Sequence, residues 1–344
     1  VSAVTWLDDP AALAAAIVPP EWPSVDAAAI ARQRPDASAL VRDAGGAVTA
    51  RASVWWRRTP EAAVGVIGHY GARDEAAGRA VLDAATARLA AAGCRRAIGP
   101  MDGTTWERYR LTLPTSDAPP FLLEPVQPAD WPTHWEAAGF SVIERYRSDR
   151  APLEVLEARD PAAVAARMAE HGVTITTFTD HAPADVIAAI HAVSVTAFAE
   201  AAWFTPIDRE TLQAQYAPAV PLADPDFVLL AWHDGAPAGF VFAVPDWLEA
   251  RRTGAPPAAL VIKTVAVRPG VRALAGLGGL LLARVAAKAR ARGMRDGIHA
   301  LMRDDNARAR AFGAGVATLV RQYALYGRTL AEPRDERRRM TVTA

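Results

Sequence analysis

Between Val267 and Leu281 the sequence reads VRPGVRALAGLGGLL, a set of residue types suited to holding phosphate with backbone atoms. Glycines at 276, 278 and 279 let the main chain approach a ligand closely, and a helix beginning there offers unpaired N–H groups and a positive dipole end. Arg268 and Arg272 add charge able to pair with phosphate oxygens. Other side chains are candidates for proton transfer or for holding an amine. Tyr323 and Tyr326 stand three apart on one strand and so face opposite sides, which lets at most one of them reach a given cleft. His299 lies on a strand, as a base or as a packed imidazole. Glu200 and Asp246 fall in loops, after a helix and after a hairpin, where a carboxylate binds an amine or is simply solvated. Trp203 and Phe204 make an apolar wall or ordinary core, and Asn306 is a ligand contact or a helix cap. The loop does not complete a dinucleotide fingerprint, because Leu281 occupies the place of the third glycine, and it has no Gly-Lys-Ser/Thr. No Ser-His-Asp or Cys-His arrangement stands out for covalent catalysis, and no histidine spacing suits a metal.

These residues need elements to position them. The β-branched run 259–267 predicts a buried strand ahead of the glycine loop. After the loop, Leu274, Leu277, Leu281 and Val285 form one apolar helical stripe, closed by Gly293. Residues 296–302 predict a strand, Asp304, Asp305 and Asn306 cap a helix starting at Ala307, and 318–329 predict a final strand. Upstream, 173–178 reads as a strand and 184–198 as a helix. Two further strands, 226–232 and 237–245, are joined through His233-Asp234-Gly235-Ala236, where Asp-Gly between apolar runs signals a hairpin.

The first half repeats this order. An alanine-rich helix ends at Gly93 as another does at Gly293, the strand 64–67 corresponds to 261–265, and Gly139-Phe140 leads to Tyr146 much as Gly315-Val316 leads to Tyr323. Such spacing is that of a duplicated domain. The expected division is a first domain over 1–152, a linker over 153–172 containing a helix at 161–170, and a second domain over 173–344.

Composition narrows the classes. The 38 basic and 38 acidic residues cancel, so no global field favours nucleic acid or an anionic membrane. Cys94 is the only cysteine, which suits a reducing compartment. No signal-like start or membrane-length apolar run is present, and a cytoplasmic location is expected.

The strand–loop–helix at 267–281 resembles the pyrophosphate-binding motif of the GNAT N-acetyltransferases, V-x-P-x-x-R followed by spaced glycines and a Leu pair. Val267, Pro269, Arg272, Gly276, Gly278, Leu280 and Leu281 carry the match. The resemblance implies an α/β (α+β) chain of two tandem GNAT-like domains, each a mixed, mostly antiparallel sheet flanked by helices. It implies acetyl-CoA bound by Val265, Ala266, Val267, Arg268, Arg272, Ala273, Gly276, Leu277, Gly278, Gly279 and Asn306, the last opening an N-x-x-A pattern with Ala309. It implies direct transfer to a primary amine of a small molecule or peptide, with Glu200, Trp203 and Asp246 toward the acceptor. Two departures stand out. The first glycine lies four residues after Arg272, a longer spacing than the family's, and Gly313 occupies the place where the family often has a tyrosine acid. Tyr323, Tyr326 and His299 are the available substitutes. A non-catalytic acyl-CoA-binding or regulatory protein, or a nucleotide-binding one, are the alternatives. The first half also carries a Gly99-Pro100-Met101 segment, as bacterial two-domain members do. It has Asp74 and Glu75 where phosphate would sit, so acyl-CoA binding is not expected there.

Overall fold

The computed structural model describes residues 3–156, 161–216, 223–307, 313 and 315–330. Thirteen strands are described, from β1 (Ala3–Trp6), β2 (Ala37–Arg42), β3 (Val48–Trp55), β4 (Val64–Ala72), β5 (Arg96–Gly99) and β6 (Leu111–Thr112) to β7 (Ser141–Pro152). The series continues with β8 (Val173–Thr177), β9 (Val228–His233), β10 (Ala236–Pro245), β11 (Ala259–Val267), β12 (Asp296–Arg303) and β13 (Thr318–Thr329). The helices are α1 (Ala27–Gln33), α2 (Glu75–Ala91), α3 (Trp131–Ala137), α4 (Pro161–Glu170), α5 (Pro183–Ala197), α6 (Arg209–Tyr216), α7 (Trp247–Thr253) and α8 (Leu277–Ala291).

The chain forms two compact units that interleave in sequence. Among the described residues, one contains Ala3–Leu113, Pro125–Arg145 and Tyr323–Leu330; the other contains Pro114–Glu124 and Tyr146–Gln322. In the first unit the strand order is β1-β2-β3-β4-β5 and then β13, of which Tyr326–Thr329 pairs with Arg96–Gly99. In the second it is β8-β9-β10-β11-β12 and then β7, of which Tyr146–Pro152 pairs with β12. Each order contains a single parallel pair, β4 with β5 and β11 with β12, and the other pairs are antiparallel. Both units are thus mixed, mostly antiparallel sheets with flanking helices, and the same topology occurs twice. Each unit's sixth place is filled by the end of a strand that begins in the other unit, so 146–152 falls in the second unit and 323–329 in the first; 114–124 also falls in the second unit.

Alternation explains the layers of the second unit. Leu229 and Val241 join Leu260 and Ile262 on one face, where the α8 stripe of Leu277, Leu281 and Val285 covers them. Their neighbours Leu230 and Phe240 point the other way with Ala266, beneath Val186, Ala189 and Val193 of α5. Each fully buried leucine here contributes about 1.5–3 kcal/mol. The predicted helix at 274 begins later, at Leu277, because Arg272–Leu274 forms a separate tight turn. The helix expected from Ala307 lies largely outside the described residues.

Candidate active site

The parallel ladder of β11 with β12 is short. It joins Ala259–Ile262 to Asp296–His299 and stops, although β11 continues to Val267 and β12 to Arg303. Irregularities on both strands fall where it stops. Opposite β10, the register passes from Phe242↔Thr264 to Ala243↔Ile262, which leaves Lys263 as an extra residue. Opposite β7, β12 jumps from His299↔Asp149 to Met302↔Arg147. Leu301 there has φ 61, and its N–H donates 2.9 Å to the Ser148 hydroxyl. The two strands therefore part beyond Ile262 and His299.

Backbone alternation shows what lines the opening. The Arg268 N–H donates to the Ala238 carbonyl at 2.8 Å, so every second residue back along β11 also bonds toward β10. That turns Ala266 toward β10, while Val265 and Val267 present their N–H and C=O groups to the opening. Of the three expected backbone contacts on β11, Ala266 is the one whose polar groups are spent within the sheet.

The helix start stands beside these strand residues. Gly276 has φ 91, a conformation that favours glycine, and no side chain caps α8. The first bond of the helix is Leu280 N–H to Gly276 C=O at 3.0 Å, leaving the N–H groups of Leu277, Gly278 and Gly279 without intrahelical acceptors. A Cβ placed on Gly278 would meet only Val265 Cγ1 and Val267 Cγ2, both at an ordinary 3.6 Å. The bare backbone at this point is not demanded by protein packing; it borders open space.

Three guanidinium groups surround this turn. Arg272 is exposed, and Arg268 is half-buried with Nη2 3.4 Å from His233 Nδ1 and a buried Nε that has no hydrogen-bond partner. The third, Arg167, reaches in from α4 and donates 2.6 Å to the Ala275 carbonyl. Sequence reading placed α4 correctly but gave Arg167 no role. Its one available signal was a basic residue on a helix bordering the motif domain. Uncapped amides, a helix dipole and arginines without carboxylate partners among the described residues together fit a phosphate-bearing ligand. Residues of β11 and the α8 turn would hold it.

The structure places the remaining candidates as follows. Asp246 is buried and caps α7, accepting from Glu249 N–H at 3.2 Å and from Leu122 N–H at 3.0 Å. Its carboxylate is committed to backbone and is corrected from an amine ligand to a cap. Tyr323 and Tyr326 are fully buried. Tyr326 packs against Trp135 in the first unit's core, and its hydroxyl donates to Glu136 Oε1 at 3.2 Å. Burial, followed by the Glu136 charge, pushes the Tyr326 hydroxyl well above its ordinary range. Both tyrosines belong to the first unit, because the strand carrying them passes into it after Gln322. Glu200 and Asn306 are exposed, Trp203 is buried with φ 63, and Ala273 lies in the turn before α8. Ala309 lies outside the described residues.

His299 is buried at the end of the parallel ladder, and burial pulls it down to about 4. It is neutral at ordinary pH and a poor base, which corrects its expected role. The unfolded chain takes up this proton below about pH 6.5 while the folded chain does not, so stability falls as pH drops from there toward 4. Between about pH 7 and pH 5 the loss from this residue is about 2 kcal/mol. Urea unfolding of the wild type and of His299→Asn at both pH values checks this. Identical pH slopes in the two proteins would remove His299 from the account.

The corresponding opening in the first unit is closed. There β4 and β5 part after Val66 and Ile98, but the Met101 N–H donates to the Ile67 carbonyl at 2.9 Å. The His69 N–H donates to Asp102 Oδ1 at 2.6 Å, and a Cβ on Gly68 would stand 2.1 Å from the Met101 carbonyl oxygen. At the helix start, the Asp74 carboxylate already accepts from Ala77 N–H. A phosphate finds neither free strand edge nor uncapped helix there.

Comparison with known proteins agrees with the geometry. Residues 193–313 match the model of the Acetyltransferase (GNAT) family. Among solved structures, a probable N-acyltransferase of unknown function from Enterococcus faecalis V583 superposes with TM-score 0.55 at 11% identity, covering 96% of this chain and 73% of its own. A tandem GNAT protein from the clavulanic acid biosynthesis pathway gives TM-score 0.50 at 18% identity, covering 97% and 100%. The glucosamine N-acetyltransferase region of a fungal multi-domain GH3 β-N-acetylglucosaminidase gives 0.52 at 14% identity. There the match covers 95% of this chain, which spans only 38% of the fungal chain. No curated protein sequence matches. At these identities the solved structures speak for the fold.

Proposed function

We propose that this chain, whose residues 193–313 match the Acetyltransferase (GNAT) family, transfers an acetyl group from acetyl-CoA directly to a primary amine of a small molecule or peptide. The observation that carries the proposal is the parting of β11 from β12 beside an uncapped, glycine-lined helix start. Leu277, Gly278 and Gly279 N–H groups, with Arg268, Arg272 and Arg167, hold the diphosphate. Val265 and Val267 bind the arm through their exposed backbone. Bound acetyl-CoA supplies an activated acyl carbon as a thioester. A β11 N–H aimed at the thioester oxygen stabilises the charge that develops there, an effect worth about 3–4 kcal/mol in general. Glu200 and Trp203, following α5 on the other sheet face, are the proposed acceptor-side residues. No helix among the described residues is long and apolar enough to cross a membrane, and we place the reaction in the cytoplasm.

The test is thiol release from acetyl-CoA over a panel of primary amines. Arg272→Gln, which removes one exposed phosphate partner, raises the KM for acetyl-CoA about tenfold and leaves kcat unchanged. A fall in kcat with KM unchanged would place Arg272 elsewhere. One observation favours a second reading, a non-catalytic acyl-CoA sensor: Gly313 stands where the family often has its acid, and both candidate tyrosines are buried in the first unit. Tight CoA binding without turnover of any amine would establish the sensor.

A further inference from the structure

The closed opening of the first unit contains a second feature. Arg51 on β3 is 2% exposed, yet its guanidinium is only partly satisfied. It donates through Nη2 to the Pro23 carbonyl and lies 5.7 Å from the Trp22 ring centroid, while Nε is buried with no hydrogen-bond partner. A cavity of about 20 Å³ lies against it, bounded also by His69, Tyr70, Asp102, Arg108 and Arg110. That volume admits an atom or group little larger than one water.

The wall offers Arg51 one counter-charge, Asp102, while His69 and Tyr70 are engaged with other partners. His69 is neutral, since burial lowers it below its ordinary range. Gln33 donates from Nε2 to Glu107, so its Oε1 accepts from His69 Nε2 at 2.6 Å. The remaining His69 nitrogen, Nδ1, takes the Ser53 hydroxyl at 2.8 Å. Tyr70 hydroxyl is paired with His134 at 3.0 Å, and the Asp102 carboxylate takes the His69 backbone N–H. Arg51 and Arg108 therefore share the Asp102 carboxylate, which already has a donor, and Arg108 Nη2 donates to the Val126 carbonyl at 2.9 Å. Burial pulls Arg51 down to about 10 and lowers Arg108 as well, the mark of cations short of counter-charge. A buried, incompletely paired charge is costly, and an anion of the right size removes that cost.

We propose that this cavity is a binding site for a small monoanion, a carboxylate group or a halide, held between Arg51 and Arg108. It requires nothing of the second unit's site and stands whether or not that unit transfers acetyl groups. Sulfate and phosphate are excluded on size.

The test is titration of the full chain with sodium formate, acetate and chloride at constant ionic strength and near-neutral pH, followed by thermal unfolding and by calorimetry. Formate, acetate or chloride gives a saturable calorimetric isotherm and raises the unfolding midpoint by a few degrees, logarithmically in concentration, whereas sulfate gives no isotherm and only the linear rise of an excluded salt. Saturation by formate, with or without the larger acetate, assigns the site to a carboxylate ligand, and saturation by chloride alone assigns it to a halide; either upholds it. Arg51→Met abolishes the saturable response, and Arg108→Gln weakens the affinity about tenfold or more. Failure of all three anions to saturate wild-type protein in calorimetry overturns the proposal independently of how the variants fold. So does an undiminished response in folded Arg51→Met.

Discussion

Gly278→Trp abolishes CoA binding, with affinity lower by about a hundredfold or more, while the protein remains folded. The expectation rests on what surrounds Gly278. It occupies the first turn of α8 with ordinary helical geometry, and an added Cβ meets only two valine methyls at contact distance. A larger side chain therefore enters the space from which the Leu277–Gly279 amides are approached, not the core. Gly278→Ala serves as companion. It gains about 0.4–1 kcal/mol of stability by reducing unfolded-chain freedom and weakens binding far less. Calorimetric titration with CoA and far-ultraviolet circular dichroism separate the two effects. Wild-type affinity in Gly278→Trp would mean that the diphosphate lies elsewhere.

Arg321→Met destabilises the second unit by about 3–5 kcal/mol. Arg321 and Glu124 form an ion pair at 3.0 Å whose side chains are 9% and 1% exposed. The same guanidinium donates to the Ser116 carbonyl at 2.6 Å and to the Ala118 carbonyl, so it ties the 114–124 segment to β13. Removing it takes the counter-charge from a buried carboxylate, which keeps the Phe121 N–H, and the donor from two carbonyls. The double variant Arg321→Met with Glu124→Leu recovers most of the loss, because the penalty lies in the orphaned charge and not in the absent attraction. Urea denaturation measures both; a loss below about 1 kcal/mol in the single variant would show that water reaches the pair.

What could be read from sequence was local. The β-branched run at 259–267, the Asp-Gly turn at 234–235, the helix at 161–170 and the leucine stripe of α8 each follow from neighbours within a few positions, and each appears in the structure. The twofold repetition was legible for the same reason. Decisive features of the site were not local. The parting of β11 from β12 depends on two irregularities in pairing, one against β10 and one against β7, and a strand's own sequence does not state its partner's register. Arg167 arrives from a helix distant in sequence. Tyr326 was misplaced because nothing in the pattern of β13 says which sheet its second half joins. Asp246 is the exception that sequence did offer: followed by Glu249, it has the spacing of a helix start, and the cap was there to be recognised.

The crossing of β13 has a consequence for synthesis. Domains usually fold in the order in which they leave the ribosome. Here the earlier-encoded unit has an open edge at β5 until Tyr326–Thr329 emerge, whereas the later-encoded unit has all its strands once Gln322 has appeared. The β5 edge, with unpaired backbone on one side, therefore waits while the strands of the later-encoded unit are made.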